Sequence, residues 1–103
     1  MAVQSREERT LMFNSPDELR DTIQGLLPEL EKAYHGRKPN KAGAQAWADA
    51  MEETIERAFC LLEIEEQYPE LEEFFAKLKA SAKRADDELF RYGKNMDLPH
   101  YIP

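Results

Sequence analysis

The feature that most constrains this chain is one long helical pattern, residues 44–67, which reads AQAWADAMEETIERAFCLLEIEEQ. At 100° per residue its apolar and acidic side chains separate onto opposite faces. The apolar face consists of Trp47, Met51, Thr54, Ile55, Ala58, Leu61 and Leu62. The acidic face consists of Asp49, Glu52, Glu53, Glu56 and Glu63. A helix divided in this way buries its apolar side against other elements, so we expect it to be the central helix of a bundle.

A second helix is predicted over residues 15–35, before the central one. Ser15 is a suitable N-cap, Pro16 suits the first helical position, and Glu18 completes the pattern of a capping box. The apolar stripe continues in phase across Pro28, which favours one kinked helix over two shorter ones that meet near Gly25. The stripe consists of Leu19, Ile23, Leu26, Leu27, Leu30 and Tyr34, and Gly36 is expected to end the helix.

A third helix is predicted over residues 69–92, because Pro69 suits a first helical position and acidic residues follow it. Gly93 is expected to stop this helix. Its stripe consists of Leu71, Phe74, Phe75, Leu78, Ala82, Ala85 and Leu89. With the central helix over residues 42–67, these elements predict an all-α, up-down-up three-helix bundle.

The two ends of the chain carry further predictions. Residues 1–14 contain a short amphipathic piece, either a short helix or an extended arm, which is a candidate fourth element. Residues 93–103 contain two prolines and no helical period, so we expect an extended tail. The whole of residues 1–103 is expected to form a single helical domain, since its length suits one core.

The charge is concentrated in one part of the chain. The formal net charge is −7. Ten carboxylates face one arginine between Trp47 and Glu73, so that segment carries −9 and the remainder +2. Such a field repels nucleic-acid backbones and favours basic partners. No apolar run approaches the roughly 18 residues of a membrane span, and the lone Cys60 argues against a secreted, disulfide-bonded domain. We therefore expect a cytoplasmic protein that contacts neither membranes nor nucleic acid directly.

The sequence offers little for catalysis or cofactor binding. Neither His35 nor His100 stands three residues after a glutamate, as the histidine ligands of di-iron bundles do. Cys60 lies toward the acidic side of its helix, where negative charge makes a thiol less nucleophilic. No glycine-rich phosphate loop is present. We therefore predict no metal, no cofactor and no enzymatic activity.

Two groups of residues are candidates for binding another protein. The first is the acidic face, Asp49, Glu52, Glu53, Glu56 and Glu63, although acidic helix faces often serve only to contact water. The second is a set of apolar anchors that the three stripes do not use. These are Phe59, Ile64 and Phe90 in the helices and Leu98, Tyr101 and Ile102 in the tail. The terminal segments or a partner protein could cover them.

These patterns favour a small acidic protein-binding module that acts as an adaptor, inhibitor or accessory subunit for a partner with a basic surface. One alternative is a mimic of nucleic acid that inhibits a DNA- or RNA-binding protein. Another is a homodimer in which the exposed apolar residues are buried permanently.

Overall fold

The computed structural model describes residues 15–101, and these form the predicted all-α bundle. Three long helices follow one another: α1 is Pro16–Glu31, α2 is Lys41–Leu62 and α3 is Glu72–Asn95. Short 3-10 helices join or follow them at Glu65–Gln67, Pro69–Leu71 and Pro99–Tyr101. The described residues contain no strand, and none of their helices is long and apolar enough to cross a membrane. The three-helix fold class predicted from the sequence is confirmed.

The first helix begins where the sequence predicts and crosses Pro28 without a break. The Oγ atom of Ser15 accepts a hydrogen bond from the Glu18 N–H at 3.3 Å, which satisfies one free amide of the first turn. Pro28 lies inside a single continuous helix, as the phase of the stripe indicates. The α-helix ends four residues earlier than residue 35, in a series of tight turns, and Gly36 does not adopt a left-handed conformation.

The central helix is shorter at its C-terminus than predicted. Asn40 caps its first turn by accepting a hydrogen bond from the Ala42 N–H at 3.2 Å. The helix ends at Leu62 rather than Gln67, because residues 65–67 and 69–71 form two single turns of 3-10 helix around Tyr68. Pro69 disfavours helical geometry in the residue before it, and Tyr68 indeed lies outside the helical region with φ −132° and ψ 65°.

The core is built from the three predicted stripes. All the buried residues of α1 belong to its predicted stripe. Six of the seven residues of the third predicted stripe are buried, five of them in α3 and Leu71 in the 3-10 turn before it. In α2 the buried face is rotated slightly from the predicted apolar face. Ala44 and Ala48 are buried, whereas Trp47 and Leu62 of the predicted face are only half-buried.

Two hydrogen-bonded tyrosines tie the helices together. The Tyr92 hydroxyl donates to the Pro39 carbonyl at 2.8 Å, and its ring packs edge-on against Trp47 with centroids 4.7 Å apart. The Tyr34 hydroxyl lies 2.6 Å from Ser81 Oγ, and the Arg84 guanidinium lies over the Tyr34 ring. The contacts of Tyr34 place the turn after α1 against the side of α3 that carries Ser81 and Arg84.

Residues 93–101 are not extended, which corrects the prediction of an extended tail for the described part of that segment. Helix α3 continues through Gly93 to Asn95, and Asp97 then adopts a left-handed conformation with φ 57°. The N–H of Leu98 bonds to the Gly93 carbonyl and that of Asp97 to the Lys94 carbonyl, which is the Schellman pattern of helix ends. This turn sends the chain back onto the bundle, where Leu98 and Tyr101 are buried.

Candidate functional site

The acidic face of α2 is joined by carboxylates from α3. Asp49, Glu53, Glu56 and Glu63 are exposed and Glu52 is half-buried, as expected for a face on the outer side of the bundle. Asp86 and Asp87 of α3 are also exposed. Burial, and then the charges of Asp87 and Glu52, raise the pKa of the Asp86 carboxyl. We call the set formed by four α2 residues and two α3 residues the acidic patch: Asp49, Glu52, Glu53, Glu56, Asp86 and Asp87.

The carboxylates of the acidic patch are not paired with lysine or arginine in the described residues, although Arg91 and Lys94 line a surface depression with Asp86 and Asp87. Among residues 15–101, no lysine or arginine forms an ion pair with any of its six carboxylates. Glu52 lies 3.2 Å from Nε2 of His100, and Asp49 accepts a hydrogen bond from the Gln45 side chain at 2.9 Å. On α2 the patch lines a shallow surface depression. Its charge is therefore directed toward solvent.

The tail lies beside the acidic patch. The Tyr101 ring contacts Phe90 edge-on, with centroids 6.0 Å apart, and is 6% exposed. Burial, and then the charges of Glu52, Asp49 and Asp86, raise the pKa of the Tyr101 phenol to about 12. The same phenol responds to carboxylates of both helices, so it lies near the acidic residues of α2 and α3. The acidic patch is thus a surface shared by α2, α3 and the tail.

The predicted apolar anchors divide into two groups. Phe59 and Phe90 are the exposed large apolar side chains of the described residues, at 37% and 52% exposure, and they remain candidates for contact with a partner. Ile64 is half-buried and packs against the core. Leu98 and Tyr101 are buried by the protein itself, so in this conformation they cover the bundle rather than project from it. Ile102 and the N-terminal segment, residues 1–14, lie outside the described residues.

Sequence reasoning did not identify Asp86 and Asp87 as part of the site. They belong to a helix whose acidic residues were expected mainly in the first turn. One feature of the sequence does point to Asp86: it stands four residues before Phe90, and this spacing places its carboxylate beside a predicted anchor on the helix surface. The spacing does not show which α2 carboxylates lie near Asp86, because that depends on how α2 and α3 pack together.

The described residues contain no candidate metal cluster. No group of three or more His, Cys, Asp or Glu side chains within residues 15–101 is placed to hold a metal ion. Cys60 is exposed and free. Comparison of the chain with family models, with curated proteins and with solved structures found no match.

Proposed function

We propose that this protein is a small acidic protein-binding module, an adaptor, inhibitor or accessory subunit whose partner presents a basic surface. The observation that supports the proposal is the acidic patch, six carboxylates on two helices with no lysine or arginine paired to them within the described part of the chain. Like charges at such spacing repel one another and lower the stability of the isolated protein. A basic partner would relieve that repulsion.

The exposed phenylalanines supply the second element of the proposal. Phe59 lies on α2 one turn after Glu56, and Phe90 lies on α3 one turn after Asp86. Aromatic anchors of this kind contribute most of the binding energy in many interfaces, whereas surrounding charges chiefly accelerate encounter and select the partner. The proposal assigns the protein no catalytic step. It places the protein in the cytoplasm, where a lone exposed thiol stays reduced.

The experiment that tests the proposal compares capture of proteins by three forms of the chain. The first is the wild type, and the second carries Glu52→Gln, Glu53→Gln and Glu56→Gln. The third carries Asp21→Asn, Glu29→Gln and Glu31→Gln, the same change of charge on the exposed side of α1. We expect one specific protein to be retained by the wild type and the α1 variant and lost by the α2 variant. Equal retention by all three would contradict the proposal.

A mimic of nucleic acid is the second candidate, favoured by the concentration of carboxylates within two turns of α2 and on the adjacent part of α3. A mimic competes with nucleic acid for its partner, and its affinity falls steeply with salt. Adding duplex DNA or RNA to the captured complex therefore separates the two functions. Release by nucleic acid supports the mimic, while retention supports a binding module held by its apolar anchors.

The homodimer is the third candidate, and the exposure of Phe59 and Phe90 is the observation that favours it. It requires no other protein. Its test is the light-scattering mass of the purified chain, which would be that of a dimer.

A further inference from the structure

Part of the tail lies on the acidic patch itself. We call residues 96–101 the docked tail. The Nε2 atom of His100 lies 3.2 Å from Oε2 of Glu52, the half-buried carboxylate of the patch. Tyr101 follows His100 and packs against Gly93 and Phe90 of α3. The docked tail therefore reaches from α3 to a carboxylate of α2.

Few side chains anchor the docked tail. Of its six residues, only Leu98 and Tyr101 are buried. The burial of two side chains must offset the conformational entropy that all six residues lose on docking. Segments with so few buried contacts belong to the part of a fold that opens most easily. The docked tail is therefore in equilibrium with a released state.

The polar contacts of the docked tail add little to its stability. Lys41 Nζ donates to the Met96 carbonyl and lies 3.7 Å from the Asp97 carboxylate. The side chains of Lys41 and Asp97 are 64% and 76% exposed, and those of His100 and Glu52 are 67% and 39% exposed. Exposed pairs of this kind are weak. The contact of His100 with Glu52 can therefore be exchanged for a contact with another cation.

The docked tail restricts access to Glu52. Arginine binds a carboxylate most strongly through both of its oxygens, and His100 faces one of the two in Glu52. Because Tyr101 lies beside the same carboxylate and is buried against α3, His100 is held in place by its neighbour. A partner's guanidinium gains full access to Glu52 only when the docked tail leaves.

We propose that the docked tail is an autoinhibitory strap, which competes with the basic partner for Glu52 and is released when that partner binds. The inference rests on the proposed function and adds a regulation of the same site. The two events are linked reciprocally: release of the tail strengthens partner binding, and partner binding favours release. If one molecule in about ten has a released tail, complete release strengthens binding about tenfold.

The opposite arrangement makes the opposite prediction. If Tyr101 and His100 in their docked positions formed part of the binding surface, release of the tail would weaken binding. The sign of the effect therefore separates a strap from a part of the binding surface.

The test measures binding of a fluorescently labelled hexa-arginine peptide to the full chain. Fluorescence anisotropy is recorded at an ionic strength of about 0.1 M, where charges beyond about 10 Å are screened. Gly93→Ala displaces the tail without a change of charge, and Gly25→Ala is the neutral control, because nothing lies within 4 Å of its new methyl group. We expect Gly93→Ala to bind the peptide at least threefold tighter than wild type and Gly25→Ala to match wild type.

Two further variants separate release from other effects. Tyr101→Ser removes the anchor without inserting an atom into the helix, so it should strengthen binding in the same way even if Gly93→Ala folds poorly. In a chain that already carries Glu52→Gln, Tyr101→Ser should no longer strengthen binding, because the contested carboxylate is gone.

A second readout follows the docked tail itself. The N–H of Leu98 donates to the Gly93 carbonyl at 2.9 Å, so its hydrogen exchange reports docking. A saturating amount of the peptide should accelerate exchange at Leu98 and leave exchange at Ile55, in the core of α2, unchanged. Nuclear magnetic resonance measures both amides.

Three results would overturn the strap. The first is equal or weaker binding by Tyr101→Ser, and the second is continued protection of the Leu98 amide in the saturated complex. The third is the absence of peptide binding to wild type and to both tail variants. Capture by the α2 and α1 charge variants tests the proposed function separately, so that function can stand when the strap fails.

Discussion

The ring of Tyr101 lies directly against the backbone of Gly93, so that a Cβ atom at position 93 would come within 2.2 Å of the ring atoms Cγ and Cδ2. Glycine is therefore required there by the close approach of the tail, although it lies inside a regular helix. The left-handed turn at Asp97 brings the tail to this point. One glycine and one turn together hold the tail beside the acidic patch.

Replacement of Gly93 by alanine should displace the tail. The new methyl group cannot fit beneath Tyr101, and clashes of this kind in packed regions cost about 1–3 kcal/mol. Gly25→Ala is the matched control, because nothing lies within 4 Å of a Cβ atom at that helical position. There the change should stabilise the protein by about 0.5–1 kcal/mol through helix propensity. Urea unfolding of both variants checks the prediction, and a stable Gly93→Ala protein with Tyr101 still buried would contradict it.

Glycine at position 97 should stabilise the protein. Asp97 holds φ at 57°, a conformation that costs most residues about 1–2 kcal/mol, aspartate less, and glycine almost nothing. Its ion pair with Lys41 is exposed and contributes little. We expect Asp97→Gly to raise the free energy of unfolding by up to about 1 kcal/mol and Asp97→Val to lower it by about 1–2 kcal/mol. Denaturant unfolding measures both, and a gain with valine would rule out the left-handed turn.

The phenol of Tyr101 should ionise at an unusually high pH, and its ionisation should lower the stability of the protein. Its pKa is raised to about 12 in the folded protein, whereas an unfolded tyrosine ionises near pH 10. The docked neutral phenol therefore stabilises the fold fully below pH 10, and that contribution is lost as the pH rises toward 12. The difference in phenolate absorbance between wild type and Tyr101→Phe isolates this group. Glu52→Gln should lower its midpoint, and a wild-type midpoint near 10 would show that the phenol is not buried beside the carboxylates.

Removal of the Asp86 charge should stabilise the isolated protein. Burial, Asp87 and Glu52 raise the pKa of this carboxyl, so its charged form opposes folding, and the penalty develops as the pH rises through the folded pKa. We expect Asp86→Asn to raise the free energy of unfolding by about 0.2–0.5 kcal/mol at neutral pH, which is the effect of a like-charge pair on a helix. Below the ordinary pKa of aspartate the substitution should give no such increase. Thermal unfolding at both pH values tests this. A loss of stability at neutral pH would mean that the carboxylate has a favourable partner.

The homodimer alternative has a direct mutational test at Phe59. This side chain is exposed on α2, so Phe59→Glu should leave the fold intact. If the protein is a homodimer through this surface, the variant becomes a monomer because a charge would be buried at the interface. An unchanged mass for Phe59→Glu would count against the homodimer.

The helices and their core could be predicted from the sequence because burial imposes a period on it. Leu19, Ile23 and Leu30 repeat at helical spacing, and all three are fully buried. Ser15 and Pro16 likewise mark the start of α1, since a side-chain oxygen and a residue lacking an N–H both suit a helix N-terminus.

The tail could not be predicted in the same way. Gly93 resembles a helix stop, and glycine is indeed the residue most often found in the left-handed position that ends a helix. Here that position belongs to Asp97, four residues later, and Gly93 instead admits the ring of Tyr101. Which of these two roles Gly93 has depends on a contact between the tail and α3. The spacing of residues within one helix gives no information about that contact.

The composition of the site was predicted only in part for a related reason. The carboxylates of α2 and the anchors Phe59 and Phe90 are visible in the helical period. The addition of Asp86, and the burial of Leu98 and Tyr101, follow from how α2, α3 and the tail pack. Sequence periodicity assigns a side chain to a helix face, but the opposing element decides whether that face is covered.

The most direct test of the proposed function is the light-scattering mass of the purified chain across a salt series, alone and mixed with the protein it captures. The proposed function predicts a monomer when alone and a defined complex with that partner. If the complex weakens as the salt concentration rises, the acidic patch contributes to binding. If a fraction of the complex persists at high salt, the apolar anchors contribute as well. A stable homodimer at every salt concentration that forms no complex would contradict the proposal and assign Phe59 and Phe90 to self-association.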